Sequence, residues 1–331
     1  MVVVITGSSA GVGRATASEF ARRGDAVALL ARGQESLEGA AREVRDAGGR
    51  ALAIPTDVAD AAQVEAAAER ATAELGAIDV WVNVAMASIL APIWEIEPDE
   101  FRRVTETTYL GQVNGTLAAL RRMRPRDRGA IVNVGSALAY RGIPLQSAYC
   151  GSKHAIRGFT NSVRTELMHE KSNVHITSVH LPALNTTQFG MVRTRMPRMP
   201  RPVAPVYQPE VAARAIVWAS DHPRRRELWV GGSTVLTILG TRLAPGWIGD
   251  VYLAKTGFDG QQTNEPATEE RRSRDYLFAP LPGDHGAHGT FGDESKPRSR
   301  QVWLAERRNV LAGAGALAAA GAAVAAAVVR R

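Results

Sequence analysis

An α/β fold with a doubly wound parallel sheet of about seven strands is predicted by two features of the 331-residue chain. Short apolar runs alternate with amphipathic stretches of helical spacing, and a glycine-rich turn stands at the first junction between them. The run from Val2 to Thr6 reads as a buried strand, and the helix after it ends at Gly24. A second strand, Ala26 to Leu30, leads into a helix whose Leu37, Ala40, Ala41 and Val44 recur on one face. Strand Ala51 to Ile54, a helix carrying Val64, Ala67, Ala68, Ala71 and Leu75, and strand Ile78 to Val84 continue the series. Pro98 opens a long helix to about Met123, followed by strand Ala130 to Val134, helix Tyr149 to His169 and strand Val174 to His180. Helix Pro209 to Ser220 and strand Leu228 to Val230 complete it. Parallel strands need right-handed crossovers, so the helices must cover both faces of the sheet.

Composition narrows the class. A hydrophobic fraction of 45% with 22% charged residues is that of a globular protein. The single cysteine, Cys150, excludes an internal disulfide and a thiolate metal cage, and no metal site is expected. A reducing, cytoplasmic setting follows, since the N-terminus also lacks the pattern of a signal segment. The net charge of +7 gathers at Arg193, Arg195, Arg198 and Arg201, at Arg224 to Arg226, and at Arg271, Arg272 and Arg274. These groups are scattered and lack interleaved aromatics, so nucleic acid is not an expected partner.

The turn Thr6-Gly7-Ser8-Ser9-Ala10-Gly11-Val12-Gly13 lies between a strand and a helix, where unpaired N–H groups and the helix dipole favour a phosphate. Gly7 suits the tight turn, Gly11 a close approach of backbone to diphosphate, and Gly13 close helix–strand packing; Ser9 and Val12 complete the cradle. No carboxylate stands at the end of the second strand, where a ribose-binding acid is usual; Arg32 stands there and Arg14 lies in the first helical turn. A charge-assisted contact to a 2′-phosphate is expected, so NADP(H) is favoured over NAD(H). Asp57 and Val58 follow the third strand, with Asp57 placed to accept from an adenine amine, and Asn83 ends the fourth.

Tyr149 and Lys153 are one helical turn apart on one face, so the ammonium can lower the phenol's pKa toward acid–base competence. Ser136, beyond the strand Ala130 to Val134, stands at a carboxyl strand edge, where its hydroxyl can hold a substrate oxygen. Taken singly, each residue has a bland structural role. Together with the glycine loop they make a catalytic set.

In this order and with Tyr149 13 positions after Ser136, these motifs resemble the short-chain dehydrogenase/reductase family over residues 2 to about 235. The resemblance implies a Rossmann-type domain, a nicotinamide cofactor, a homo-oligomer, a lysine that also holds the nicotinamide ribose, and Thr186 at the carboxamide. Departures are visible. The Asn-Asn-Ala-Gly motif reads Asn83-Val84-Ala85-Met86, Thr108 stands where the family often has a helix asparagine, and Pro-Gly is Pro182-Ala183.

Residues 1–235 therefore read as an NADP-binding oxidoreductase domain with a substrate lid at 181–207, an ordered loop whose Met191, Val192, Met196 and Met199 suggest an apolar ligand. Residues 236–304 read as an amphipathic stretch, to Ala254, and an extended polar tail, and 305–331 as an Ala-rich hydrophobic helix. Its apolar part, Val310 to Val329, bracketed by arginines, has the length of a membrane span and is expected to associate with a membrane. The expected function is hydride transfer between NADP(H) and an apolar carbonyl or secondary alcohol, with Tyr149 as acid/base. The alternative is a sensor or scaffold that binds NADP(H) without catalysis.

Overall fold

The structure, a computed structural model, describes residues 1–307. The sheet strands are β1 (Val2–Thr6), β2 (Ala26–Ala31), β3 (Arg50–Pro55), β4 (Val80–Asn83), β5 (Gly129–Ser136), β6 (Val174–Leu181) and β7 (Glu227–Trp229). They stand in the order β7-β6-β5-β4-β1-β2-β3, and every neighbouring pair is parallel. The order reverses between β1 and β4, which opens a crevice at the carboxyl ends of those two strands.

Side-chain alternation along the strands explains why helices cover both faces. Val3, Ile5, Val27, Leu29, Val82 and Val132 point to one side. There they pack against α1 (Gly11–Ala21), α2 (Gln34–Asp46) and α7 (Pro209–Asp221) through Phe20, Leu37, Val44, Val211 and Ile216. Val4, Ala28, Leu30, Trp81, Ile131 and Ile176 point to the other. They meet Val64 and Ala68 of α3 (Ala61–Leu75), Ala119 and Met123 of α5 (Gly111–Met123), and Val163 and Leu167 of α6 (Ser147–His169).

The long helix expected from Pro98 to Met123 is divided. α4 (Pro98–Thr105) and α5 are joined by a single π turn, Glu106–Leu110. That turn aims Thr108 at the chain after β4, where its hydroxyl accepts from Ala87 N and donates to Ala87 O, both at 2.9 Å. Thr108 thus fastens a loop that lies over the crevice.

Two further expectations need correction. The segment 181–207 is more than a loop, because it carries short strands that pair elsewhere. Arg193–Thr194 pairs with Ile89–Leu90, Arg198–Pro200 with Gln262–Pro266, and Val206–Tyr207 with Ser295–Lys296. Residues 257–300 are not an extended tail either. They fold back across the domain, with Leu277 fully buried against Ala87, Ile89, Val104 and Ala148, a burial that contributes on the order of 2 kcal/mol. Polar composition concealed this because the segment is held mainly by ion pairs and backbone hydrogen bonds. Between them lies the stretch from residue 236, whose helices are α8 (Gly232–Leu243) and α9 (Gly246–Thr256).

The arginine cluster of 193–201 is internally paired. Arg193 binds Glu100 at 2.7 Å and Asp275 at 2.8 Å, Arg195 binds Glu100 at 2.8 Å, Arg198 pairs with Asp259 and Arg201 with Glu294. No helix among the described residues is long and apolar enough to cross a membrane, and the segment Val310 to Val329 lies outside them.

Behind the crevice, Trp81 Nε1 donates to Asn83 Oδ1 at 2.8 Å and Asn83 Nδ2 donates to Asn133 Oδ1 at 2.8 Å. Gly115 of α5 sits on this network, and a methyl group there would overlap Asn83 Oδ1 and the Trp81 indole nitrogen. Gly115→Ala should therefore destabilise the fold by about 1–3 kcal/mol despite alanine's better helix propensity, as measured by urea denaturation.

Candidate active site

At the crevice the backbone comes close enough to itself that side chains are excluded. Gly7 has φ +68° and Gly11 φ +54°, and a Cβ on Gly7 would stand 2.7 Å from Ala85 Cα. A Cβ on Gly13 would overlap the Gly7 carbonyl, so the third glycine permits the helix to start against the strand. α1 has no side-chain cap; its first N–H, that of Gly11, donates to Gly286 O at 3.1 Å.

A cavity of about 910 Å³ opens from this turn. Its lining holds Gly7, Ser9, Gly11, Val12, Gly13, Arg32, Asp57, Val58, Ser136, Tyr149, Lys153 and Thr186. Arg14, bonded to Glu43 and Asp284, is outside this lining, and so is Asn83. Its side chain is fully buried behind the sheet edge, bonded to Trp81, Asn133 and Thr116, and so supports β4 and α5 without reaching the cavity. An amide at a strand end can face forward or back, and periodicity alone does not distinguish them. Of the four residues chosen from 181–207, only Met191 lines the cavity; Val192 is buried and Met196 packs against Leu90 and Leu145.

Ser136 ends β5 in extended backbone, and its Oγ accepts from Leu138 N at 3.1 Å, which fixes its rotamer. The Tyr149 phenol lines the same cavity as that hydroxyl, close enough for Ser136 to bear on its acidity. Lys153 Nζ lies 5.5 Å from the Tyr149 ring centroid and donates to Val134 O at 2.7 Å. Burial governs both groups. It pulls the Lys153 ammonium down to about 7 and pushes the Tyr149 phenol above its ordinary range, against the lowered value expected from sequence. The hydroxyl of Ser136 acts the other way on the phenol, but less strongly.

Next to Tyr149, Cys150 is buried with its Sγ toward Ile143 O, and burial raises its thiol pKa. The outer wall of the cavity, missed by sequence reading, comes from α8 and α9 through Leu236, Thr237, Ile248, Tyr252 and Leu253. Leu236, Leu243 and Trp247 on these helices are largely exposed.

The opposite rim was also missed. Arg32 donates to the carbonyls of Tyr276, Leu277 and Phe278 in the returning C-terminal segment. Arg14 holds Glu43 through two bonds, at 2.8 and 3.0 Å, and Asp284. Asp57 pairs with Arg103 at 2.5 Å. No periodicity marks Tyr276 or Asp284, so nothing local in the sequence placed them here.

Residues 1–197 match the family model described as short chain dehydrogenase. An uncharacterized oxidoreductase of Bacillus subtilis, YxnA, is 31% identical over 277 residues, covering 83% of this chain and 77% of that protein. The 3-dehydrosphinganine reductase of Danio rerio is 32% identical over 223 residues, covering 65% of this chain and 67% of the relative. An alcohol dehydrogenase of the archaeon Thermococcus sibiricus, solved in complex with 5-hydroxy-NADP, aligns with a TM-score of 0.60 and 27% identity over 69% of this chain and 95% of that one. With the sheet order, the glycine turn and the Ser136, Tyr149 and Lys153 constellation, these matches make the chain an oxidoreductase of the short-chain dehydrogenase/reductase family.

Proposed function

We propose that this oxidoreductase transfers a hydride between NADP(H) and an apolar ketone, aldehyde or secondary alcohol, with Tyr149 as the acid/base. The carrying observation is the joint placement of Ser136, Tyr149 and Lys153 at the inner wall of a cavity whose outer wall is apolar. Bound in the crevice, the dinucleotide supplies the hydride. The groove fits such a group: the Gly7 cradle excludes any Cβ, and buried Lys153 has one protein acceptor, Val134 O, for its three N–H donors. Gly11, Val12 and Gly13 would hold the diphosphate, Asp57 and Val58 the adenine, Lys153 and Tyr149 the nicotinamide ribose, and Thr186 the carboxamide. Arg32 at the end of β2, where no carboxylate stands, supports the choice of NADP(H).

In reduction, Ser136 orients the substrate oxygen and Tyr149 donates its proton to that oxygen as the carbon accepts hydride. The raised phenol pKa suits this direction, because the proton is present throughout neutral pH. In oxidation Tyr149 must accept a proton, which needs the Lys153 ammonium and the positive oxidised ring together to favour the phenolate. Leu138, Ile143, Leu236, Ile248 and Leu253 in the lining support an apolar substrate. A relative is named for reduction of 3-dehydrosphinganine, which supports the reductive reading.

A panel of apolar ketones and aldehydes assayed by NADPH oxidation tests this. Wild type should turn over at least one of them, and Tyr149→Phe should lower kcat by about 100-fold or more while NADPH affinity stays within a few-fold. Binding of NADPH without turnover of any member would instead favour the sensor reading.

The lysine gives the pH prediction. Its ammonium prevails below about 7 and is lost above it, so kcat/KM for carbonyl reduction should fall as pH rises through about 7. Lys153→Met should abolish that limb of the pH–rate profile and lower the rate by roughly 100-fold.

A further inference from the structure

The segment 275–291 crosses the rim formed by the turn after β1, the end of β2 and the first turns of α2, and it binds there as a ligand would. It presents acceptors to the groove's donors. The carbonyls of Tyr276, Leu277 and Phe278 receive Arg32, the Gly286 carbonyl receives Gly11 N–H at 3.1 Å, and the Asp284 carboxylate receives Arg14, with one contact at 3.0 Å. Ser36 Oγ, in the first turn of α2, lies 3.5 Å from Asp284 Oδ1, where the helix dipole also favours negative charge.

Two observations distinguish this corner from an ordinary ion pair. Arg14, only 3% exposed, already has a carboxylate in Glu43, and Asp284 brings a second to the same guanidinium, with Arg42 the further cation acting on it. Burial works against the charge on Arg14, yet its two acidic partners more than offset that and raise its pKa. Asp284, in turn, is held below its ordinary range first by Arg14. The second observation is Gly39, inside α2, where glycine is unfavourable to a helix; a methyl there would overlap the Asp284 carboxylate. The helix has been cut back at the one point where an anionic group lies against it.

We propose that Asp284 occupies the 2′-phosphate corner of the dinucleotide groove, and that the strap bearing it sets cofactor selectivity by competing with NADP(H). The inference rests on the dinucleotide reading above. Arg14 and Arg32, with the Ser36 hydroxyl that donates to Ser9 O at 2.9 Å, are the donors a phosphate would have to win at the end of β2, the position where this sheet topology reads the adenine ribose. An NADP(H) molecule must displace Asp284 to reach them. A dinucleotide without the 2′-phosphate displaces the Gly286 carbonyl from Gly11 N–H, as NADP(H) does, but makes no demand on the Asp284 contact.

Affinities of the full chain for NADPH, NADH and adenosine 2′,5′-bisphosphate, measured by calorimetry, test it. Asp284→Asn should raise the ratio of NADPH to NADH affinity by about tenfold, the scale of one charge-assisted contact, and tighten the bisphosphate similarly. Asp284→Glu, which keeps the carboxylate, should stay near the wild-type ratio, and thermal melts verify that both variants fold. An unchanged or lowered ratio in a folded Asp284→Asn protein overturns the competition. Failure of every nucleotide to bind every variant removes the dinucleotide reading itself, and this inference with it, so the two failures are separable.

Discussion

The close approach of the Gly7 backbone to Ala85 is the contact on which the rest of the site depends. It joins the turn after β1 to the chain after β4 at the place where sheet order reverses, leaving no space for a side chain on Gly7. The crevice floor is therefore main chain, with N–H groups forward and Asn83 turned back into the core. Thr108 holds the next stretch through both polar groups of Ala87, and Leu277 of the strap packs against that same residue. The catalytic wall and the cofactor floor are thus tied to one loop.

Much of this was legible in the sequence because it is periodic or punctuated. Seven buried strands with alternating faces, the three glycines of the turn, and a tyrosine and lysine one turn apart each follow from local rules. What escaped was non-local. Asn83 satisfies its amide with Trp81, Thr116 and Asn133, a choice set by helix α5 lying behind it rather than by its own neighbours. The phenol of Tyr149 is governed by burial, and sequence spacing to Lys153 does not reveal how much water the fold removes from the pair. Residues 257–300 look like solvated tail because they contain few apolar groups. Yet a handful of contacts, among them Leu277 in the core, the pairing of Ser295–Lys296, and Asp275 on Arg193, suffice to hold them.

Charge follows the same logic. The arginines of 193–201 are each paired with a carboxylate within the chain, so that basic cluster is a consequence of how this segment is fastened to the domain and to the returning segment 257–300. Arg32 and Arg14 differ from the others because they stand where the groove meets that fastening. Both guanidinium groups hold the chain's own returning segment, Arg14 through Asp284 and Arg32 through backbone carbonyls.

Cys150 offers a way to watch the active-site helix directly. It is the chain's sole thiol, adjoins Tyr149, and is shielded from solvent with its acidity suppressed. Alkylation by a small reagent must therefore wait for the start of α6 to loosen. Its rate would act as a clock for breathing beside Tyr149, free of background from any other sulfhydryl.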